Sequence, residues 1–222
     1  MEWKHGGLSA TNLPKHVRDD PMIYAWKPII LQETLLKYKM IFWIDAGSTL
    51  TGPLNPVENI LKRDGLFLVK GQDADMKPYA HEGTFEWFGF HKDTMKTGSS
   101  YSGNTQAYLY PSRYATSIVQ KQAACAMDVN CIAPNGHSLD NHRYDQTSLS
   151  ICAYHPQVRA PHHTEYLSAT PRDLRRNLLN PSYRFVWTAR QGCDFYSDSS
   201  VVSSGKNYWT LLAAKKKKKQ QS

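Results

Sequence analysis

The first chemical signal in the chain is a carboxylate that ends a buried run. In "KMIFWIDAG", Ile41, Phe42, Trp43 and Ile44 lead directly to Asp45, with Ala46 and Gly47 after it. In α/β sheets ligands gather beyond the carboxyl ends of strands, so an acid there stands where such proteins place chemistry. An Asx-type turn with Gly47 accounts for the same residues without a ligand, and the pattern alone leaves both readings open. A second acid, Asp145, stands early in "NHRYDQTSLSICAYH", where a carboxylate in an opening helical turn also suits the helix dipole. The cysteines offer less. Cys125, Cys131, Cys152 and Cys193 include no C-x-x-C pair, which argues against a zinc site. Cys125 and Cys131 bracket "CAMDVNC"; they either close a small disulfide loop in a secretory compartment or stand as two buried thiols.

The elements around these residues follow from periodicity. Residues 1–20 read as loop. "PMIYAWKPIILQETLLKYK" then reads as a helix of about four turns, with Trp26, Ile29, Ile30 and Leu36 on its apolar side. Pro28 is tolerated only near a first turn, so this helix starts around Trp26. "KMIFWID" is too short for a helix and rich in β-formers, so it reads as a buried, parallel strand. "PVENILKRDG" is a short helix ending at Gly65. "LFLVKG", "TFEWFGFH" and "TQAYLYP" read as strands, "SRYATSIVQKQAACAM" and "NHRYDQTSLSICAYH" as helices, and "PQVRA" and "YRFVWTAR" as short strands. Alternating strands and helices predict an α/β sandwich with a mainly parallel sheet.

Bulk properties set the outer bounds. The 222 residues suit one sizeable domain, and 41% apolar content with 12% aromatic residues supplies a core. Mean hydropathy is negative, and no apolar run is long enough to span a bilayer. "MEWKHGGLSATNLPKHVRDD" is polar and has no apolar core of a signal peptide, so no targeting segment or membrane anchor is expected in this chain. Five of the charges behind the net +8 are Lys215 to Lys219; without that run the balance is ordinary. The run reads as a solvated tail over 213–222. Its sharper readings are a patch for nucleic acid or anionic lipid, and the lack of interleaved aromatic residues weakens the first of these.

Three stretches together carry a resemblance. "YAWKPIILQETLLKYKMIFWIDAGSTLTGPLNPV" resembles the segment around the acidic DxD motif of GT-A-fold glycosyltransferases. "SGNTQAYLYPSRYA" resembles their intervening strand, and "NHRYDQTSLSICAY" their later helix, which often opens with an Asp-Gln pair. The order is similar to that of a eukaryotic group of nucleotide-diphospho-sugar transferases with a W-x-D-A-G motif, over about residues 20–190. The resemblance implies a GT-A-like three-layer sandwich across residues 21–212. It also implies transfer of a sugar from a nucleotide-diphosphate donor to a glycan, protein or lipid acceptor, in the Golgi or ER lumen, with no nucleic-acid partner.

The resemblance implies a role for each matched residue. Asp45 would hold Mn²⁺ or Mg²⁺, hard cations that take oxygen ligands and neutralise a diphosphate leaving group. Gly47 occupies the place of the second acid of a DxD motif, and with Ala46 would let the donor approach the backbone closely. His162 and His163 are the candidates for completing the metal shell; the alternative is a pair on an exposed loop. Lys27 would pair with a phosphate, or stand as a surface lysine at a helix start. Asp145 would act as general base on an acceptor hydroxyl, or orient a sugar. Gln146 would meet sugar hydroxyls, His142 and Arg143 a phosphate or sugar at the helix start, and Asn104 would bind donor or acceptor hydroxyls or only sit in a turn with Gly103. Trp87 and Phe88 read as core rather than sugar platforms, and the literal D-x-D at 73–75 reads as a loop ranked below Asp45. The resemblance further implies a leading β–α–β unit, for which the residues before Asp45 leave too little chain. That sets a second expectation beside the first: a non-catalytic remnant of the fold, serving as a binding or assembly module.

Overall fold

The computed structural model describes residues 12–46, 48–50, 53–71, 73–163 and 186–188. A short helix, α1 (Lys15–Asp19), interrupts the expected opening loop and leads through a 3-10 turn (Pro21–Ile23) into α2 (Trp26–Tyr38). Then follow β1 (Met40–Ile44), β2 (Ser48–Leu50), α3 (Asn55–Asp64) and β3 (Leu66–Lys70). A 3-10 turn (Lys77–Tyr79), α4 (Glu82–Trp87), β4 (Tyr101–Leu109), α5 (Arg113–Met127), α6 (Val129–Ile132), α7 (Tyr144–Tyr154) and β5 (Val186–Thr188) complete the described elements. None of the described helices is long and apolar enough to cross a membrane.

The α/β class is as expected, but the strand directions are not. The sheet is β1-β4-β3, and β4 is antiparallel to both neighbours, with Ile44 opposite Thr105 and Leu66 opposite Tyr108. β2 and β5 form a separate antiparallel pair. The mainly parallel sheet is therefore not found among the described strands. An unbroken apolar run reports burial on two faces, not strand direction. Both faces are indeed covered. Leu66, Leu68, Ile41 and Tyr108 point to one side, against Leu31 and Leu35 of α2, Ile118 and Val119 of α5 and Leu149 of α7. Phe67, Val69 and Ala107 point to the other, against Val57, Ile60 and Leu61 of α3, with Phe42 and Ile44 at its margin.

β1 and β3 both run into β4 from the same direction, so their carboxyl ends and the start of β4 meet on one edge of the fold. Two turns fix this arrangement. α2 ends at Lys39 in the left-handed region (φ 66°), which turns the chain straight into β1. α3 ends at Gly65 (φ 76°), whose N–H returns to the Leu61 carbonyl at 2.8 Å. A Cβ at Gly65 would also lie 2.1 Å from Ser112 Oγ, the side chain that caps α5. Only glycine satisfies both demands.

Two predicted strands are otherwise. "TFEWFGFH" enters a helix, because the His81 ring accepts the Gly83 N–H as an N-cap and Glu82 follows in the first turn. "PQVRA" is irregular: the chain leaves α7 through Arg159 at φ 44°, and the Ala160 N–H bonds back to Ala153 O at 2.9 Å. Of "YRFVWTAR", Val186–Thr188 is a strand and the rest lies outside the described residues. Beside the sheet, Val17, Ile23 and Ile29 pack with Ile132 and the Cys125–Cys131 disulfide, which ties the end of α5 to α6. Among the described residues Cys152 is the buried free thiol, and burial pushes it up to about 12.

Candidate functional site

Lys27 is the second residue of α2, and it is only 4% exposed. Its Nζ lies 3.1 Å from Asp45 Oδ1, 2.8 Å from Asp145 Oδ2 and 3.3 Å from the Gly103 carbonyl. The ammonium donates a hydrogen bond to the Gly103 carbonyl and lies within ion-pair distance of both carboxylates. The rings of Tyr24 and Trp43 flank the charge, at 5.5 and 5.8 Å from their centroids. The reading of Lys27 as a surface lysine is thus corrected: its side chain turns inward, between Asp45 beyond β1 and Asp145 of α7.

Asp45 follows β1 directly. Its N–H donates to the Asn104 carbonyl at 3.0 Å, extending the β1–β4 ladder by one step. Its Oδ1 also accepts the Trp43 indole N–H at 3.0 Å. Trp43 and Asp45 are two apart and share a strand face, which is why the indole can orient the acid. The Asn104 side chain accepts from Ser48 Oγ at 3.0 Å and closes the turn after β1. The turn reading and the site reading of Asp45 are both correct: Ser48 N donates to Asp45 O at 2.9 Å, while the carboxylate reaches Lys27. Gly47 lies outside the described residues.

Asp145 enters from α7. Tyr144, just before it, adopts φ 39°, a conformation rare for an aromatic residue. Its ring is held against Tyr24 and His142, and its hydroxyl meets His137 Nδ1 at 3.0 Å. Opposite Asp145, Gly103 has no side chain, and a Cβ there would lie 2.9 Å from Asp145 Oδ2. β4 therefore admits the acid by omitting a methyl group.

A polar chain continues from this point. Gln146 Nε2 donates to Ser100 Oγ at 2.9 Å, and Ser100 Oγ donates to Asp73 Oδ2 at 3.2 Å. Gly71 allows the approach, since a Cβ there would lie 2.4 Å from Ser100 Oγ. Arg143 stands over the Tyr79 ring at 4.7 Å, with Nη2 at 3.9 Å from Asp73 Oδ1. Asp73, Ser100, Arg143, Gln146 and Thr147 line a cavity of about 10 Å³, room for one water. Arg143 Nε is buried beside it without a hydrogen-bond partner among the described residues. Asp73 of the literal D-x-D therefore borders the site, whereas Asp75 caps the Lys77 N–H at 3.1 Å.

The remaining histidines lie elsewhere. His142 is fully buried: Nδ1 accepts the His81 N–H at 3.2 Å and Nε2 meets the Ile132 carbonyl at 3.0 Å. Burial holds it down at about 4, so it serves as a neutral structural bridge. His162 stacks on Tyr101 at 4.0 Å and meets the Tyr154 hydroxyl at 2.9 Å. His163 lies along β3, taking the Leu68 N–H on Nδ1 at 3.1 Å and reaching Asp64 Oδ2 with Nε2 at 3.2 Å. Asp64 is itself held at about 2, chiefly by Arg63 and then by His163, against its burial. β3 and β4 thus separate His163 from β1, and the expectation that this pair joins Asp45 is corrected. The exposed-loop alternative fails too, because His163 is 3% exposed.

No family model, curated protein or solved structure matches the chain. The site is therefore read from its own geometry. Asp45, Asp145, Lys27 and Asn104 come together; Gln146 and Arg143 form an adjoining group; His142, His162 and His163 do not join them. Among the described residues no three His, Cys, Asp or Glu side chains cluster as a metal-holding group. Sequence reasoning missed Gly103, Trp43, Tyr24 and Ser100. Trp43 had a legible signal, its place two residues before Asp45 on the same strand face.

Proposed function

We propose that this chain transfers a sugar from a nucleotide-diphosphate donor to a glycan, protein or lipid acceptor, on a GT-A-like scaffold. The observation that carries the reading is the buried bridge of Lys27 to Asp45 and Asp145 at the carboxyl ends of β1 and β3. Taking three charges out of water is expensive, and well-packed apolar residues would stabilise a fold as well or better. An ion cluster that adds so little net stability is better explained by what it does to a ligand.

The chemistry assigns each group a task. Carboxylates accept hydrogen bonds from sugar hydroxyls, and Asp145, hydrogen-bonded to an acceptor hydroxyl, takes its proton as that oxygen attacks the anomeric carbon of the donor sugar. The carbon–oxygen bond to the diphosphate breaks, and the nucleoside diphosphate leaves with the electron pair. Asn104 and Gln146 orient hydroxyls beside it. Arg143, at the start of α7, faces the donor phosphates with a charge-assisted contact. Sugar transfer in the Golgi or ER lumen is supported by the Cys125–Cys131 disulfide, a bond that persists in oxidising compartments.

Calorimetry with a panel of nucleoside diphosphates and their sugars tests the reading. Saturable binding that weakens in Arg143→Ala and in Asp145→Asn supports it. No binding to any member of the panel overturns it in favour of a non-catalytic module.

A further inference from the structure

We propose that the Lys27 ammonium is the resident cation of this site, holding Asp45 and Asp145 in the arrangement that a bridging divalent ion would otherwise impose, so that the site works without a divalent metal. The inference deepens the sugar-transfer reading and takes its meaning from it, but its test does not depend on turnover.

Three observations carry it. The first is position. The oxygens with which the two acids face each other are Asp45 Oδ1 and Asp145 Oδ2, and Lys27 Nζ already stands between them at 3.1 and 2.8 Å. A divalent ion binds oxygens at about 2.0–2.6 Å, so the two cannot share the space. The second is confinement. Lys27 is 4% exposed, lies between the Tyr24 and Trp43 rings, and donates a hydrogen bond to Gly103 O. Vacating the place for a metal means losing both ion pairs and the hydrogen bond of a buried charge at once. The third is construction around the lysine. Gly103 leaves out the Cβ that would displace Asp145, and Trp43 fixes Asp45 through its indole N–H at 3.0 Å. Each carboxylate thus has a neighbour that sets its place beside Nζ.

The consequence is a distinct division of labour. The two acids and one ammonium sum to a net negative charge, which favours neutral hydroxyl donors over a phosphate. The triad accordingly meets sugar hydroxyls, and the diphosphate is met by the separate cation Arg143. Lys27 is a positioning residue in this account, since it acts through the two acids.

Titration of the full chain with MnCl₂ alone, followed by electron paramagnetic resonance and calorimetry, tests this directly. The wild type should show no saturable Mn²⁺ uptake at millimolar metal. Lys27→Ala, which frees both carboxylates, should bind Mn²⁺ at least about tenfold more tightly, because affinity follows the count of charged oxygen ligands. Lys27→Ala with Asp45→Asn should lose that gain. Stoichiometric Mn²⁺ binding by the wild type that Asp45→Asn removes overturns the inference, and this arm stands even if the Lys27 variants fail to fold. A parallel titration with nucleoside diphosphates in EDTA separates the two claims. Binding that persists in EDTA supports both. Binding that appears only with Mn²⁺ overturns the resident-cation inference and leaves sugar transfer standing. No binding under either condition overturns sugar transfer, while the Mn²⁺ titration alone still decides the role of Lys27.

Discussion

Without the Lys27 ammonium, Asp45 and Asp145 would stand close together with little water between them. Their side chains are only 19% and 11% exposed. Removing one partner of a buried ion group costs about 3–5 kcal/mol, so Lys27→Met should lower stability by that amount in urea unfolding. An unchanged midpoint would mean that the bridge is not held in solution. Gly103→Ala tests the same contact from the opposite side. The added Cβ would lie 2.9 Å from Asp145 Oδ2, and relieving it should cost about 1–3 kcal/mol and weaken donor binding together. Loss of stability with binding intact would separate the acid from the ligand. Asp45 and Asp145 were individually legible, because each stands at an element end where acids have a known use. Lys27 was legible as a residue but not as a buried one, since nothing in "YAWKP" tells which face of the helix turns inward. The meeting of the three depends on Gly103, a residue whose meaning is only what it leaves out.

Among the elements, the strands report the same lesson differently. The apolar runs "MIFWI" and "LFLVK" both marked strands, but only "LFLVK" is buried on both faces; in β1 Ile41 alone is buried and Met40 is exposed. They carried no information on direction, which is set by β4 returning between them. Helix-forming and strand-forming patterns also competed in "TFEWFGFH", and the His81 cap decided for helix, a signal outside the hydrophobic period. Turn chemistry was the more reliable guide. The expected stop at Gly65 is present, and it predicts a large effect for a small change. Gly65→Ala places a Cβ at φ 76° and 2.1 Å from Ser112 Oγ, so it should destabilise the chain by about 1–3 kcal/mol. Circular dichroism during thermal unfolding measures this; an unaltered transition would show that α3 ends elsewhere in solution.

For the molecule as a whole, acid should be the weak side. His142 has an ordinary value of 6.5 and is held at about 4 by burial. The unfolded chain therefore takes up this proton as pH falls through 6.5, while the folded chain does not until about 4. Stability is unaffected by this group above 6.5 and declines as pH drops from 6.5 towards 4, by up to about 3 kcal/mol. His142→Gln should flatten that acid limb in unfolding curves measured across the same window. An unchanged slope would assign the limb to other groups. The claim that joins all these observations is that the acids at the ends of β1 and α7 act on a sugar donor. Release of free sugar from a panel of nucleotide-diphosphate sugars, compared between wild type and Asp45→Asn, tests it most directly. The account predicts turnover of at least one donor by the wild type and its loss in the variant; equal turnover by both, or none by the wild type, would contradict it.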